Sequence, residues 1–468
     1  MNKEKIISDL KKLVGDENVS TYAEDLFVYS FDSYSIPFLD ETIMKCRPDV
    51  VVKVKTTQQV SDVLRYANQW KIPVTPRAAG TSLAGGTIPI KGGIVLDLRI
   101  MNKIKKIDIE NLQVIVEPGV IKAKLNEALK PYGFFFPPDP GSEEYCTIGG
   151  MIATNAGGMR AVKYGVTKDY VLGLEVVLPN GDVIRTGANT LKYSIGYDLA
   201  KLFVGSEGTL GVITEATLKI VPLPKHRAVA LAQYRSFRDA TKTVPHLIAR
   251  ALPSAIEFLD KYAIKAVNEW TKANIPEEVA TLLIEVDGEK EDVRLRMNEV
   301  VKTCREFGAV NVQWSDDPNE MIKLWTARRD SGPALLRLRP EWAKMYGAED
   351  VAVPLSKLPD AVEAFQKIGE KYGIFLACIG HAGDGNIHTS ISIDVTRKEE
   401  QFLAIKRAFE EIHKVALELG GVVAGEHGIG LARKAYMEKQ HGNALQVMKA
   451  IKQAIDPNNI MNPGKIFD

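Results

Sequence analysis

Three glycine-rich stretches, each set among short apolar runs, constrain this chain more than any other feature. Pro76-Arg77-Ala78-Ala79-Gly80-Thr81-Ser82-Leu83-Ala84-Gly85-Gly86 directly follows a run that reads as a strand. The proline-rich Pro137-Pro138-Asp139-Pro140-Gly141-Ser142 leads into Thr147-Ile148-Gly149-Gly150-Met151-Ile152-Ala153-Thr154-Asn155-Ala156-Gly157-Gly158. Gly205-Ser206-Glu207-Gly208-Thr209-Leu210-Gly211-Val212-Ile213-Thr214 completes the set. Small residues let backbone N–H groups approach and cradle a phosphate. One such loop is an ordinary surface turn about half the time. Three in this order line a long slot for an extended anionic cofactor. The common nucleotide fingerprints do not fit: there is no G-x-G-x-x-G, and the Gly464-Lys465 pair is followed by Ile466 rather than Ser or Thr.

Between these loops the chain reads as strands and helices in turn. Val50-Val51-Val52-Lys53-Val54, Ile72-Pro73-Val74, Gly93-Ile94-Val95-Leu96-Asp97-Leu98 and Val114-Ile115-Val116 are strands, and Asn180-Gly181 closes a hairpin over 176–184. Thr56 opens a helix with Val60, Val63, Leu64 and Ala67 on one face, and Ile6, Ile7, Leu10, Leu13 and Val14 mark another near the N-terminus. Val221-Pro222-Leu223-Pro224-Lys225 reads as a junction. Beyond it the glycine-rich loops stop, residues 279–286 read as a strand and 292–307 as a charged-face helix, which is the pattern of an α+β domain. The junction sets off residues 1–224 of the 468.

The histidines are unevenly placed: none of the seven precedes His226. Residues 375–381 read as a buried strand ending at His381, Asp384-Gly385-Asn386 as a tight turn, and residues 387–393 alternate with His388, Ser390 and Ser392 on the polar face. A strand–turn–strand brings His381 and His388 together, and Glu426-His427 supplies a carboxylate beside another imidazole. Two imidazoles and a carboxylate make an open metal site for zinc, iron or manganese. In Trp325-Thr326-Ala327-Arg328-Arg329-Asp330 a guanidinium can grip a carboxylate bidentately, with Lys344 and Asp350 as weaker candidates.

These motifs carry a resemblance. PRAAGTSLAGG, PDPGSEEYCTIGGMIATNAGG, GSEGTLGVIT, GHAGDGNIH, GEHGIG and NPGK, spread from about residue 20 to the C-terminus, resemble the vanillyl-alcohol-oxidase (PCMH) type of FAD-binding family. The resemblance is to its branch of glycolate oxidase large subunits, D-lactate dehydrogenases and D-2-hydroxyglutarate dehydrogenases. It implies an α+β fold: a two-subdomain FAD-binding lobe, an α+β substrate (cap) domain and a C-terminal helical segment returning to the flavin at Asn462. With the junction, that implied C-terminal segment divides the chain into 1–224, 225–415 and 416–468, within the range set by about 150 residues per domain. By the same resemblance Arg77, Ala78, Ala79, Gly80, Thr81 and Ser82 hold the pyrophosphate. Pro140, Gly141, Thr147, Gly150, Ala153, Thr154, Asn155 and Gly158 flank the flavin, ribityl and diphosphate portions. Glu207, Gly211 and Ile213 take the adenine and ribose end. His381, His388 and Glu426 bind the metal, His427 is the catalytic base and Arg328 holds the substrate carboxylate. Many relatives carry three glycines where this chain has Ala78-Ala79-Gly80, so negative φ is expected at 78 and 79. With no histidine in the first lobe, a noncovalent FAD is expected.

The implied reaction is oxidation of a small D-2-hydroxy acid, D-lactate first, to the 2-oxo acid. A histidine base suits it, the ordinary imidazole pKa lying near 6.5. Glycolate, D-2-hydroxyglutarate and a noncatalytic FAD relay subunit are the alternatives. A net charge of +1, from 60 basic and 59 acidic side chains, leaves no basic footprint for nucleic acid. No stretch reaches the roughly 18 apolar residues that span a bilayer, and no signal peptide is legible. Four scattered cysteines, Cys46, Cys146, Cys304 and Cys378, fit a reducing, cytoplasmic setting and no internal iron–sulfur cluster. The flavin's electrons are therefore expected to leave for a separate protein, an electron-transferring flavoprotein or an iron–sulfur subunit.

Overall fold

The structure is a computed structural model and describes residues 3–35, 40–271, 275–276, 280–339, 341–345 and 350–467, of which 327, 336 and 398 are described by backbone alone. The chain forms two compact units. The first holds Met1–Ala156, Val166–Leu223 and Glu426–Asp468; the second holds Gly157–Gly165 and Pro224–Gly425. The last crossing between units falls at 425/426, and a nine-residue strap that begins in the second glycine-rich motif belongs to the second unit.

Among the described residues the first unit has two main sheets and a two-stranded ribbon, Phe134–Phe135 with Val221–Pro222. In the smaller main sheet, Val50–Lys53 and Val74–Arg77 both run parallel to Ile94–Asp97, and Val19–Ser20 adds an antiparallel edge. The helix Thr57–Trp70 connects two of these strands, its Thr56 cap accepting the Gln59 N–H. Val60, Val63, Leu64 and Ala67 are fully buried together with Leu10, Val50, Val74 and Ile94. Each such side chain removes apolar surface from water, about 1.5–3 kcal/mol for a Val or Leu. The larger sheet is antiparallel, in the order Ile104–Asp108, Gln113–Val116, Val212–Lys219, Val171–Val177, Val183–Gly187. The predicted Asn180-Gly181 hairpin is present, with Gly181 at φ 87° between the last two strands.

The C-terminal tail is fastened to this unit by one buried ion pair. Lys452 and Asp456 pair directly. Lys452 Nζ also donates to Thr209 O (2.8 Å) and Met461 O (2.9 Å), while Asp456 accepts the N–H groups of Ile460 (3.1 Å) and Met461 (2.8 Å). Val74 and Met461 then form a parallel bridge, and Asn462 enters the glycine-rich loops.

The second unit is built on one antiparallel sheet of eight strands among the described residues. Its order is Ala309–Ser315, His226–Tyr234, Ala280–Gly288, Ala255–Leu259, Phe375–His381, Asn386–Asp394, Trp342–Met345, with Val351–Ala352 also on Asn386–Asp394. The strand read over 279–286 starts one residue later among the described residues, Val279 lying outside them, and the charged helix runs Lys290–Glu306. Among the described residues no helix is long and apolar enough to cross a membrane.

Replacing Asp456 with Ala removes one partner of a buried pair and two N–H acceptors, which costs about 3–5 kcal/mol. Urea unfolding of the variant should show a loss in that range; a loss near zero would mean that water takes over Lys452.

Candidate active site

The two sequence-predicted histidines lie on adjacent strands of the second unit. Phe375–His381 pairs with Asn386–Asp394 in a register that sets Ile379 opposite His388 and His381 opposite Asn386. The turn between them needs glycine. Gly385 has φ 81°, and a Cβ there would sit 2.0 Å from Val353 O. The result places His381 Nε2 3.3 Å from His388 Nε2, with the rings at 85°. Two imidazoles bound to one zinc at about 2.05 Å with a tetrahedral angle hold their nitrogens about 3.3 Å apart. The donor pair fits a divalent cation.

A buried carboxylate fixes one of these rings. Glu257 Oε1 lies 2.7 Å from His381 Nδ1, and its Oε2 accepts Arg328 Nε at 2.7 Å. Burial alone would raise the Glu257 carboxyl, but His381 and Arg328 outweigh it and hold it below the usual glutamate range. An ionised Glu257 accepts a hydrogen bond from His381 Nδ1–H, so in the neutral ring Nε2 carries the lone pair, the usual support of a metal-binding histidine. Glu257 carried no sequence signal: a lone acid in a strand acquires this role only through register, which sets it opposite His381. Arg328 is mostly buried and gives Nε to Glu257, whereas Arg329 is exposed and pairs with Asp330.

The same strand leaves hydroxyls unspent. Ser390 and Ser392 are buried, and neither Oγ has a partner among the described residues. Lys344 lies opposite Ser392 in the register. Asp350 is committed to the scaffold: it accepts Asn386 Nδ2 (2.8 Å) and the Gly425 N–H (3.0 Å). A Cβ on Gly425 would fall 2.1 Å from Asn386 Nδ2, so the chain passes this point only as glycine. Glu426 and His427 follow in the first unit, His427 Nε2 lying 3.5 Å from Glu426 Oε1.

The strap Gly157–Gly165 completes the second unit. Arg160 Nε donates to Glu285 (2.9 Å), Lys163 pairs with Asp287, and the Tyr164 hydroxyl donates to Asp287 at 2.7 Å. Its Val162 packs so closely on Gly383, in the histidine turn, that a Cβ there would be 2.7 Å away. Burial raises Glu285, yet Arg160 and Arg227 hold it below its ordinary value.

In the first unit, the cofactor residues named from the sequence cluster in the three loops. Gly80 takes φ 69° while Ala78 and Ala79 keep negative φ, as expected for alanine. Among the described residues no backbone N–H from 78 to 83 is spent on another protein group, so this row suits an anionic phosphate. Thr147 caps the helix Ile148–Thr154 by accepting the Gly150 N–H, and Thr154 Oγ1 donates to Gly150 O. Asn155 has φ 54° and accepts the Lys168 N–H. Pro140 and Gly141 lie at the surface end of the second loop, and Ala153 O accepts the Glu207 N–H (2.8 Å). Gly158 falls in the strap, in the second unit. Gly211 is required by closeness, a Cβ meeting Val177 O at 2.8 Å, and Ile213 packs in the apolar core. Glu207 gives its carboxylate to the Ile429 (2.7 Å) and Gly430 (2.8 Å) N–H groups, and Asn462 Nδ2 bonds Gly86 O (2.9 Å) and Glu207 O (2.8 Å). The loop segment 429–430 is thus held by a residue that sequence reading assigned elsewhere.

Comparison with known proteins gives two family matches: "FAD binding domain" over residues 48–187 and "FAD linked oxidases, C-terminal domain" over 223–466. The glycolate oxidase subunit GlcD of Bacillus subtilis is 42% identical over 98% of this chain and 96% of its own length. The mitochondrial D-lactate dehydrogenase [cytochrome] of Arabidopsis thaliana is 37% identical over 99% of this chain and 80% of its own. The solved structure of p-cresol methylhydroxylase has the same fold, with a TM-score of 0.80 at 20% identity, covering 99% of this chain and 97% of its own.

Because its folded pKa is depressed, Glu285 contributes stability that is full above the ordinary glutamate pKa of about 4.3 and is lost as pH falls through the folded value. Glu285→Gln should cost about 2–3 kcal/mol at pH 7, less than a fully buried pair because Arg160 keeps some solvent, and should shrink the acid loss of stability. Unfolding measured from pH 7 down to pH 3 checks both; an unchanged acid slope would remove Glu285 from this role.

Proposed function

Because the chain belongs to the FAD-linked oxidases, in the branch of glycolate oxidase subunits and D-lactate dehydrogenases, we propose that it oxidises a small D-2-hydroxy acid to the 2-oxo acid, D-lactate first. The observation that carries this reading is the imidazole pair 3.3 Å apart, with Glu257 on the far nitrogen of one ring. A pure electron relay has no use for such a donor pair. FAD, held noncovalently by the loops around Arg77–Ser82, Thr147–Gly158 and Gly211–Ile213, supplies a two-electron acceptor for the hydride leaving C2. A divalent cation, of zinc, iron or manganese chemistry, supplies positive charge that lowers the pKa of a nearby hydroxyl.

The chain's own residues do the rest. His381 and His388 donate lone pairs, and Glu426, next in the chain after the Asp350-anchored Gly425, is the third ligand in this reading. His427 takes the substrate's hydroxyl proton. Arg328, its Nε occupied by Glu257, offers to the substrate carboxylate its two terminal nitrogens, which have no hydrogen bond among the described residues. The unspent Ser390 and Ser392 hydroxyls supply further donors on the same strand face. Buried polar groups of this kind favour a small polar substrate over an apolar one, since an apolar occupant would leave them unpaired. Glycolate is the second reading, favoured by the 42% identity to a GlcD subunit. Electrons pass on to a separate protein, an electron-transferring flavoprotein or iron–sulfur subunit, and the four free cysteines accord with a cytoplasmic location.

Anaerobic mixing with D-lactate, L-lactate, glycolate and D-2-hydroxyglutarate should bleach the flavin fastest with D-lactate. His427→Ala with FAD intact should slow bleaching by about 10²–10⁴-fold, the usual weight of a general base; an unchanged rate would remove His427. The purified protein should carry about one divalent cation per chain, falling well below that in His388→Ala, and a metal-free wild type with full activity would sink the metal assignment.

A further inference from the structure

Glu207 is an acid in a place that needs explaining. It is 8% exposed and sits in the left-handed region at φ 50°, where a glutamate is costly. Burial pushes its carboxyl upward even though two N–H groups point at it. Those N–H groups belong to Ile429 and Gly430, at 2.7 and 2.8 Å, one on each carboxylate oxygen. Both remaining backbone groups are also engaged: its N–H donates to Ala153 O at 2.8 Å, and its carbonyl accepts Asn462 Nδ2 at 2.8 Å. Four hydrogen bonds thus fix Glu207 within the protein.

What the carboxylate holds is the turn immediately after Glu426-His427. Gly428 lies at φ 80°, and a Cβ on it would come 3.0 Å from Glu207 Oε1. Gly430 lies at φ 49°, and a Cβ on it would be 2.2 Å from Ala84 O, which accepts the Leu431 N–H at 2.8 Å. Two glycines in three residues give this turn little stiffness of its own. Its shape comes from an acceptor that ties two successive N–H groups, with Arg433 Nη1 on the Gly428 carbonyl at 3.0 Å closing the other side.

We infer that Glu207 is a positioning residue for His427: it fixes the glycine turn from which the imidazole projects, and it does not contact the cofactor. This rests on the reading of His427 as the base. Through Ala153, Asn462 and Ala84 the same contacts join all three glycine-rich motifs of the first unit to that turn, so the loops that frame the flavin also set the base.

Glu207→Gln keeps the side chain's length and one acceptor oxygen but turns an NH₂ toward one of the two N–H groups. Glu207→Asp keeps the charge and shortens the reach. With FAD saturating, the rate of anaerobic flavin reduction should fall about 10–100-fold in the first and less in the second, as a misplaced catalytic group costs. The D-lactate concentration for half-maximal rate should stay within about threefold, and so should the FAD dissociation constant. Hydrogen exchange should quicken at the Ile429 and Gly430 amides while the Thr57–Trp70 helix stays protected. Weakened FAD binding with a wild-type rate at saturation would make Glu207 a cofactor residue and overturn the inference, as would loss of FAD in both variants. His427→Ala is run alongside: full activity there fails the functional reading itself, whereas an inactive His427→Ala beside a fully active Glu207→Gln fails only the positioning role.

Discussion

Backbone N–H groups at turns and loop ends need acceptors, and in this chain carboxylates provide several of them. Some of these acids are local, two to five residues from the amide they hold, and others arrive from far along the chain. Glu207 accepts from Ile429 and Gly430, Asp350 from Gly425, Asp456 from Ile460 and Met461, and Asp260 from Tyr262, Ala263 and Cys378. Asp32 does the same for Tyr34 and Thr87 beside the first glycine-rich loop. A carboxylate offers two oxygens and accepts only, so one residue can hold two adjacent amides.

That pattern gives each unit a distinct part. In the second unit strand register does the positioning: it sets His381 and His388 on neighbouring strands and brings Glu257 up behind the first ring. The strap Gly157–Gly165 adds two buried ion pairs and presses Val162 against the histidine turn. In the first unit loops predominate, and the glycine turn after His427 is shaped by contacts to residues hundreds of positions away.

Much of this was legible beforehand. The Thr56 cap and the buried face of Val60, Val63, Leu64 and Ala67 follow from helical spacing alone. The Asn180-Gly181 hairpin and the 375–393 strand–turn–strand follow from local turn chemistry. Local signals of this kind depend on residues a few positions apart, which a single sequence displays. The strap was not legible, because nothing in Gly157–Gly165 announces that Arg160 and Lys163 will meet Glu285 and Asp287 more than a hundred residues later. Glu257 was invisible for the same reason. Arg328 was chosen over Arg329 by resemblance alone; what the fold adds is that the first turns toward Glu257 and the second toward solvent.

The sequence by itself determined the chemistry this chain can draw on: three glycine-rich loops for an anionic cofactor, histidines only from residue 226 onward, and an acid, Glu426, beside His427. It could do so because those capacities reside in residue types and their local spacing. The tertiary structure alone decided which groups are spent and which stay free. It set Asp350 on one backbone and one side-chain amide and the carboxylate of Glu207 on two backbone amides, left the hydroxyls of Ser390 and Ser392 without partners among the described residues, and put two imidazole nitrogens 3.3 Å apart. Hydrogen-bond partners across large sequence separations are fixed by register and loop packing, and these exist only once the whole chain has folded.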